Sequence, residues 1–133
     1  MGHPTIYPTG VTVYNPEKCW NGFTIFQALE VGAVLMNMNG RENKVWKGVH
    51  GFPNKIFPGG YLMTSRGSRD GRYGVQDGLD LVQIDWDGNV VWKFDRNEYI
   101  EDPGIPGRWM ARSHHDYQRE GSTTGYYAPG MEP

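Results

Sequence analysis

The feature that most constrains the fold of this chain is an internal repeat. The string VLMNMNGRENKVWK, from Val34 to Lys47, returns as LVQIDWDGNVVWK, from Leu81 to Lys93. Val34, Met36, Asn39 and Gly40 align with Val82, Ile84, Asp87 and Gly88 at an offset of 48. Val45 and Trp46 match Val91 and Trp92 at an offset of 46, which implies a first turn two residues longer. Each copy reads as a strand, an Asn-Gly or Asp-Gly turn suited to positive φ, and a second strand ending in Val-Trp-Lys. Beyond the first copy, Pro58-Gly59-Gly60 marks another turn and Tyr61 to Thr64 another apolar strand. A period near 48 with several strands per unit is that of a propeller blade, whose repeats run at roughly 40 to 50 residues. The competing architecture is a single antiparallel sandwich with two similar hairpins.

Composition supports an all-β reading. The 19 Gly and 9 Pro among 133 residues fall between short apolar runs, and five Trp and eight Tyr favour pleated surfaces. Strands are expected near Thr24 to Phe26, Val34 to Met38, Lys44 to Trp46, Tyr61 to Thr64, Leu81 to Trp86 and Val90 to Phe94. No stretch has helical periodicity. Residues 1–30 read as a lead-in strand and loop, 31–78 as the first repeat and 79–133 as an incomplete second one. Together they make about two blades of one β-propeller domain, which closes with typically about 4 to 8. The first partner implied is therefore the remainder of the propeller, in another chain or in missing sequence, and a homo-oligomer is one way to supply it. A net charge of -2 with no run of Lys or Arg argues against nucleic acid and acidic membranes as partners. No apolar run approaches the roughly 18 residues needed to cross a bilayer. Cys19 is the only cysteine and MGHPTIYPTG carries no basic-then-apolar leader, so the expected compartment is the cytoplasm, or the periplasm if a signal peptide was removed.

Five stretches carry a family resemblance. YPTGVTVYNPEKCWNGFTIFQ from Tyr7 to Gln27, the two repeat strings, FPNKIFPGGYL and RWMARSHHDYQREG from Arg108 to Gly121 together resemble the N-terminal part of the arylsulfotransferase family. The resemblance implies a six-bladed propeller with its active site in the central channel. It also implies transfer of a sulfuryl group from one phenol to another through a sulfohistidine, with a small aromatic substrate and no cofactor. A hydrolase or lyase on the same propeller, and a non-catalytic scaffold, are the alternatives.

The densest polar cluster is His114, His115 and Asp116, with Arg112 two residues before. By the repeat it occupies the place of Phe52 to Lys55, at the lead-in of a strand. Side chains alternate along a strand, which would put Arg112, His114 and Asp116 on one face and His115 on the other. His115 is the expected channel residue, because bulges are common at such lead-ins and the resemblance favours the second histidine. Histidine serves as nucleophile or acid near neutral pH, and arginine offers a fork of donors to an oxyanion. His115, His114 and Arg112 are thus the candidate catalytic residues. Asp116, Tyr117 and Trp109 are the candidate substrate-binding residues, with Tyr126 and Tyr127 nearby in sequence. A structural network around an Asp-oriented histidine is the competing reading, and no metal is expected from adjacent residues on one strand. His50 reads as a solvated loop residue, and Asp85, Asp87 and Asn89 as a hairpin turn rather than a calcium loop. Trp20, Trp46 and Trp92 read as packing between blades, and Arg66 to Gly78 as a plain Gly-rich connector.

Overall fold

The two repeat strings fold into the same hairpin. In the computed structural model, which describes residues 11–74 and 77–117, the Asn37 side chain accepts hydrogen bonds from the N–H groups of Asn39 and Arg41, both at 3.0 Å. The Asp85 side chain accepts from Asp87 and Asn89 at 2.9 and 2.8 Å. Gly40 and Gly88 follow with φ of 73° and 91°, the left-handed conformation a non-glycine residue would adopt at a cost. The turns are therefore equal in length, contrary to the expectation of two extra residues in the first. Each is followed by a bulge at an equivalent place, Asn43 and Val91, where the register shifts beside Leu35 and Gln83.

One offset of 48 consequently holds through turn, bulge and strand. Trp46 lies opposite Ala33, and the residue holding that place in the second hairpin is Phe94, whose N–H donates to the Leu81 carbonyl at 2.9 Å. Trp92 lies opposite Gln83, where the first hairpin has Lys44 opposite Leu35. The matching Val-Trp-Lys strings are thus slipped by two residues in space. A slip of two keeps each side chain on its own face, so the pattern survives although the partners change.

Nine strands and one helical turn are present among the described residues, and they form three antiparallel sheets. The first sheet joins β1 (Phe23–Ala28), β2 (Gly32–Asn37) and β3 (Glu42–Lys47). The second joins β4 (Lys55–Phe57), β5 (Tyr61–Thr64), β6 (Val82–Ile84) and β7 (Val90–Lys93) in chain order. A separate hairpin pairs β8 (Glu98–Asp102) with β9 (Ile105–Met110). The helical turn α1 (Gly71–Gly74) sits between β5 and β6. The six expected strands are all present, whereas β4, β8 and β9 were missed, two being short or charged and one holding a Pro and a Gly. The second sheet takes strands from both expected repeat ranges, 31–78 and 79–133.

The first two sheets stack face to face. Ala33, Leu35 and Trp46 of one meet Leu62, Val82 and Ile84 of the other, with Val49 closing the layer. Trp46 is 3% exposed, its indole N–H donates to the Asp85 carbonyl at 3.2 Å, and its ring meets Trp86 edge-on at 5.4 Å. The opposite face of the second sheet carries Phe57, Met63 and Leu81, covered by Trp92, Phe94, Ala111 and Tyr117. Trp46 thus packs between two sheets, whereas Trp92 packs on the outer face of its own sheet rather than between the two. Trp20 differs: among the described residues it is 95% exposed, in the segment that precedes β1. No helix among the described residues is long and apolar enough to cross a membrane.

Candidate active site

Two segments depart from the repeat, and they meet at the histidine pair. The first is the connection from β5 to β6. Ile25 lies opposite Leu35 and Met63 opposite Gln83, so the offset before this connection is 38, against 48 after it. Ten residues have been added. The second is the β8–β9 hairpin, which follows β7.

The added residues between β5 and β6 are an organised loop, which corrects the expectation of a plain connector. Its base is clamped by Asp80, which accepts from the Arg66 backbone N–H and Nε, both at 2.8 Å. The strip Gly67 to Arg69 then bonds to Asp77 to Leu79 through Arg69 N to Asp77 O at 2.8 Å and Leu79 N to Gly67 O at 3.0 Å. On its other side the strip takes the segment carrying the histidines: Ala111 N donates to Leu79 O, Arg112 N to Gly78 O and Gly78 N to Ser113 O, at 2.9 to 3.0 Å. The approach is close: a Cβ at Gly78 would stand 2.4 Å from the Ser113 hydroxyl oxygen, which would have to move aside.

The histidines do not lie on a strand, so the alternation expected for them fails. Arg112 and His115 both have positive φ, 53° and 62°, and Asp116 N donates to His114 O at 2.8 Å across a three-residue turn centred on His115. Left-handed backbone at a non-glycine residue costs on the order of 1 to 3 kcal/mol and persists where surrounding contacts impose it. The turn brings the two imidazoles together instead of separating them: their ring centres are 4.1 Å apart at 76°. Both side chains are exposed, and the Phe52 ring stands 5.4 Å from His115 and 6.4 Å from His114.

Charge is distributed differently from the expectation. The carboxylate partner of the pair is Asp77, whose Oδ1 lies 3.1 Å from His114 Nδ1. The other oxygen of Asp77 faces Arg69 at 3.2 Å and Arg112 at 3.7 Å. Arg112 also pairs with Glu98 of β8 at 3.1 Å, and Arg69 grips both oxygens of Asp102, at the end of β8. That grip, above all its side-chain hydrogen bonds, holds the Asp102 carboxyl below the usual carboxylate range. Asp116 turns away from both imidazoles and pairs with Lys55, whose ammonium, helped by the Tyr117 N–H, likewise holds its carboxyl low.

Of the aromatic candidates, Tyr117 is committed to the fold. Its hydroxyl is within hydrogen-bonding range of the carbonyls of Pro53 and Met63, the latter at 2.7 Å, and its own carbonyl accepts from Lys55 at 2.7 Å. Burial first, and the Asp116 charge second, push the phenol well above its ordinary range and keep it protonated. Trp109 stands on β9 against Tyr99 at 5.4 Å and is 66% exposed. Tyr126 and Tyr127 lie outside the described residues. A separate cleft of about 420 Å³ between the stacked sheets is lined by Lys44, Trp46, Lys47, Arg66 and Asp87, and takes in none of the predicted site residues.

Asp77, Arg69, Glu98 and Asp102 were missed because their sequence contexts carry no motif. Phe52 and Lys55 were within reach, since the repeat already placed them level with the His-His-Asp string. The arrangement sets the Nδ1 of one imidazole against a carboxylate, with a second imidazole beside the ring and a guanidinium on the same carboxylate. Comparison with protein-family models, curated proteins and solved structures finds no match to the chain.

Proposed function

We propose that the chain is part of a propeller enzyme of the arylsulfotransferase kind, moving a sulfuryl group from an aryl sulfate to a phenolic acceptor. The observation that carries this reading is the pairing of His114 Nδ1 with Asp77 next to a second exposed imidazole. A neutral His114 that donates its Nδ1–H to Asp77 has its lone pair on Nε2, the form a nucleophile needs. Nε2 attacks the sulfur, the bond from sulfur to the aryl oxygen breaks, and the leaving phenolate takes a proton from His115. The resulting sulfohistidine keeps its Nδ1–H on Asp77. An acceptor phenol then gives its proton back to His115 and attacks the sulfur, which releases His114 unchanged. Arg112 offers positive charge to the sulfate oxygens, and Phe52 offers an aromatic ring. His114 therefore takes the role of nucleophile and His115 that of acid and base.

Stacking supports the propeller half of the reading. The face of the first sheet that buries Ala33, Leu35 and Trp46 corresponds, at offset 48, to the face of the second bearing Leu81, Gln83 and Phe94. Sheets that repeatedly turn the same face to the next are how blades succeed one another. In this reading the first two sheets are two of about six blades, and the remaining blades are the chain's partner.

The test is turnover of a chromogenic aryl sulfate with and without a phenol acceptor. Release of the chromophore should depend on the acceptor. His115→Ala should lower turnover by on the order of 10², the usual worth of acid–base help, and His114→Ala should abolish it. Full activity in either variant would overturn the assignment. A folded wild-type chain without acceptor-dependent turnover would favour the scaffold alternative.

A further inference from the structure

The two departures from the repeat are joined by a chain of five charged groups. Asp102 and Glu98 lie at the two ends of β8. Each holds an arginine, Asp102 holding Arg69 and Glu98 holding Arg112, and both arginines converge on the same oxygen of Asp77. The side chains of Arg69, Asp77 and Asp102 are 16%, 15% and 8% exposed, so the inner half of this chain is shielded from solvent. Tyr73 adds a neutral link, its hydroxyl donating to the Pro103 carbonyl in the β8–β9 turn at 2.7 Å. Only the second oxygen of Asp77 is left for His114.

We propose that Arg69 and Asp77 are positioning residues for His114, and that the docked β8–β9 hairpin, through Asp102, fixes which nitrogen of that imidazole carries the proton. The Asp77 backbone is bonded to Arg69 and Gly74, and the direction of its carboxylate is set by what holds its other oxygen. Arg69 does this through a rigid planar fork that spans both carboxylates. With Arg69 in place, Oδ1 of Asp77 stands 3.1 Å from Nδ1 and favours a proton on that nitrogen, as the outer partner of a working imidazole does in hydrolases and metal sites. Without it, Arg112 alone faces Asp77, at the longer distance and with a carboxylate of its own to satisfy. The groups facing His114 are then His115, Phe52, Arg112 and a freed Asp77, none of which fixes a tautomer. The inference is independent of the sulfuryl-transfer reading, since a tautomer is fixed whether or not the imidazole reacts.

The test reads the tautomer directly. Protein labelled with ¹⁵N at histidine is examined at alkaline pH, where neutral imidazole dominates, by long-range ¹H–¹⁵N correlation, with His114→Gln assigning the signal. In the wild type, His114 should show a protonated Nδ1 and a bare Nε2. Asp77→Ala should move most of the population to the Nε2–H form that free histidine prefers. Arg69→Met and Asp102→Asn should move it the same way by a smaller amount, while His50 keeps its pattern. Arg69→Lys, which keeps the charge but loses the fork, should fall between Arg69→Met and wild type. A wild-type His114 already protonated at Nε2 overturns the proposal without any variant. So does an Arg69→Met protein whose His114 pattern is unchanged.

Discussion

The two repeated hairpins and the two segments added to them are built in opposite ways. The hairpins carry apolar side chains on fixed faces, close with the same Asx-type turn and bulge at the same place, and bury Trp46, Leu62, Val82 and Ile84 between sheets. The added loop and the β8–β9 hairpin are held by arginines, carboxylates and one phenol, and the histidine segment beside them takes left-handed backbone at Arg112 and His115. Apolar layers tolerate sequence change while the period is kept, which is why the fold repeats. Charged clusters depend on each partner, which is why the site occurs once. The comparison separates what stabilises the molecule from what could do chemistry in it.

The largest effects should come from the hairpins. Trp46→Ala should cost about 3 to 5 kcal/mol through the cavity it leaves, read from denaturant unfolding. Trp92→Ala, from a half-buried ring two residues out of register, should cost clearly less. Equal losses would restore the alignment by Val-Trp-Lys and break the single offset of 48.

A second tier tests the turns. Asn37→Ala removes an acceptor from two backbone N–H groups and should cost about 1 kcal/mol at every pH. Asp85→Ala should destabilise in the same direction but with a pH dependence. The side chain of Asn89, then its backbone N–H, hold the Asp85 carboxyl below its ordinary range. A depressed folded-state value means the contribution is present above the unfolded carboxylate value near 3.9 and is lost as pH falls through the folded one. Unfolding curves of the two variants should therefore converge on wild type for Asp85 alone in acid. The same sign applies to Asp102, so amide exchange in β8–β9 should rise in acid before exchange in β2 or β6 does.

Smallest of all should be His115→Gly. It relieves left-handed backbone while adding chain entropy to the unfolded state, and the two terms, each of roughly 1 kcal/mol, oppose one another. Its melting point should stay near that of wild type although turnover falls by on the order of 10². A large destabilisation would make His115 a structural residue and blur the division between hairpins and added segments.

Much of the fold was legible because strand and turn residues recur at a fixed period. Asn39-Gly40 and Asp87-Gly88 announced their turns, and alternating apolar residues announced β2 and β6. The registry of Trp46 against Trp92 was not legible, since a two-residue slip leaves every face unchanged. In the site, the string from Arg112 to Asp116 stood out by residue type, by its place in the repeat and by the resemblance. Its conformation was misjudged because alternation was assumed where Arg112 and His115 take positive φ. Asp77 was illegible for a different reason: nothing local distinguishes it from Asp70 or Asp80, and only the meeting of two added segments places it on His114.

The measurement that bears most directly on this division is mass-spectrometric mapping of the wild-type chain after brief exposure to an aryl sulfate without acceptor. One sulfuryl group per chain should be found on His114, absent in His114→Gln and discharged by added phenol, while Trp92→Ala, if folded, still carries it. A folded wild-type chain that acquires no group, or acquires it on His50 instead, would contradict the assignment of chemistry to the added segments.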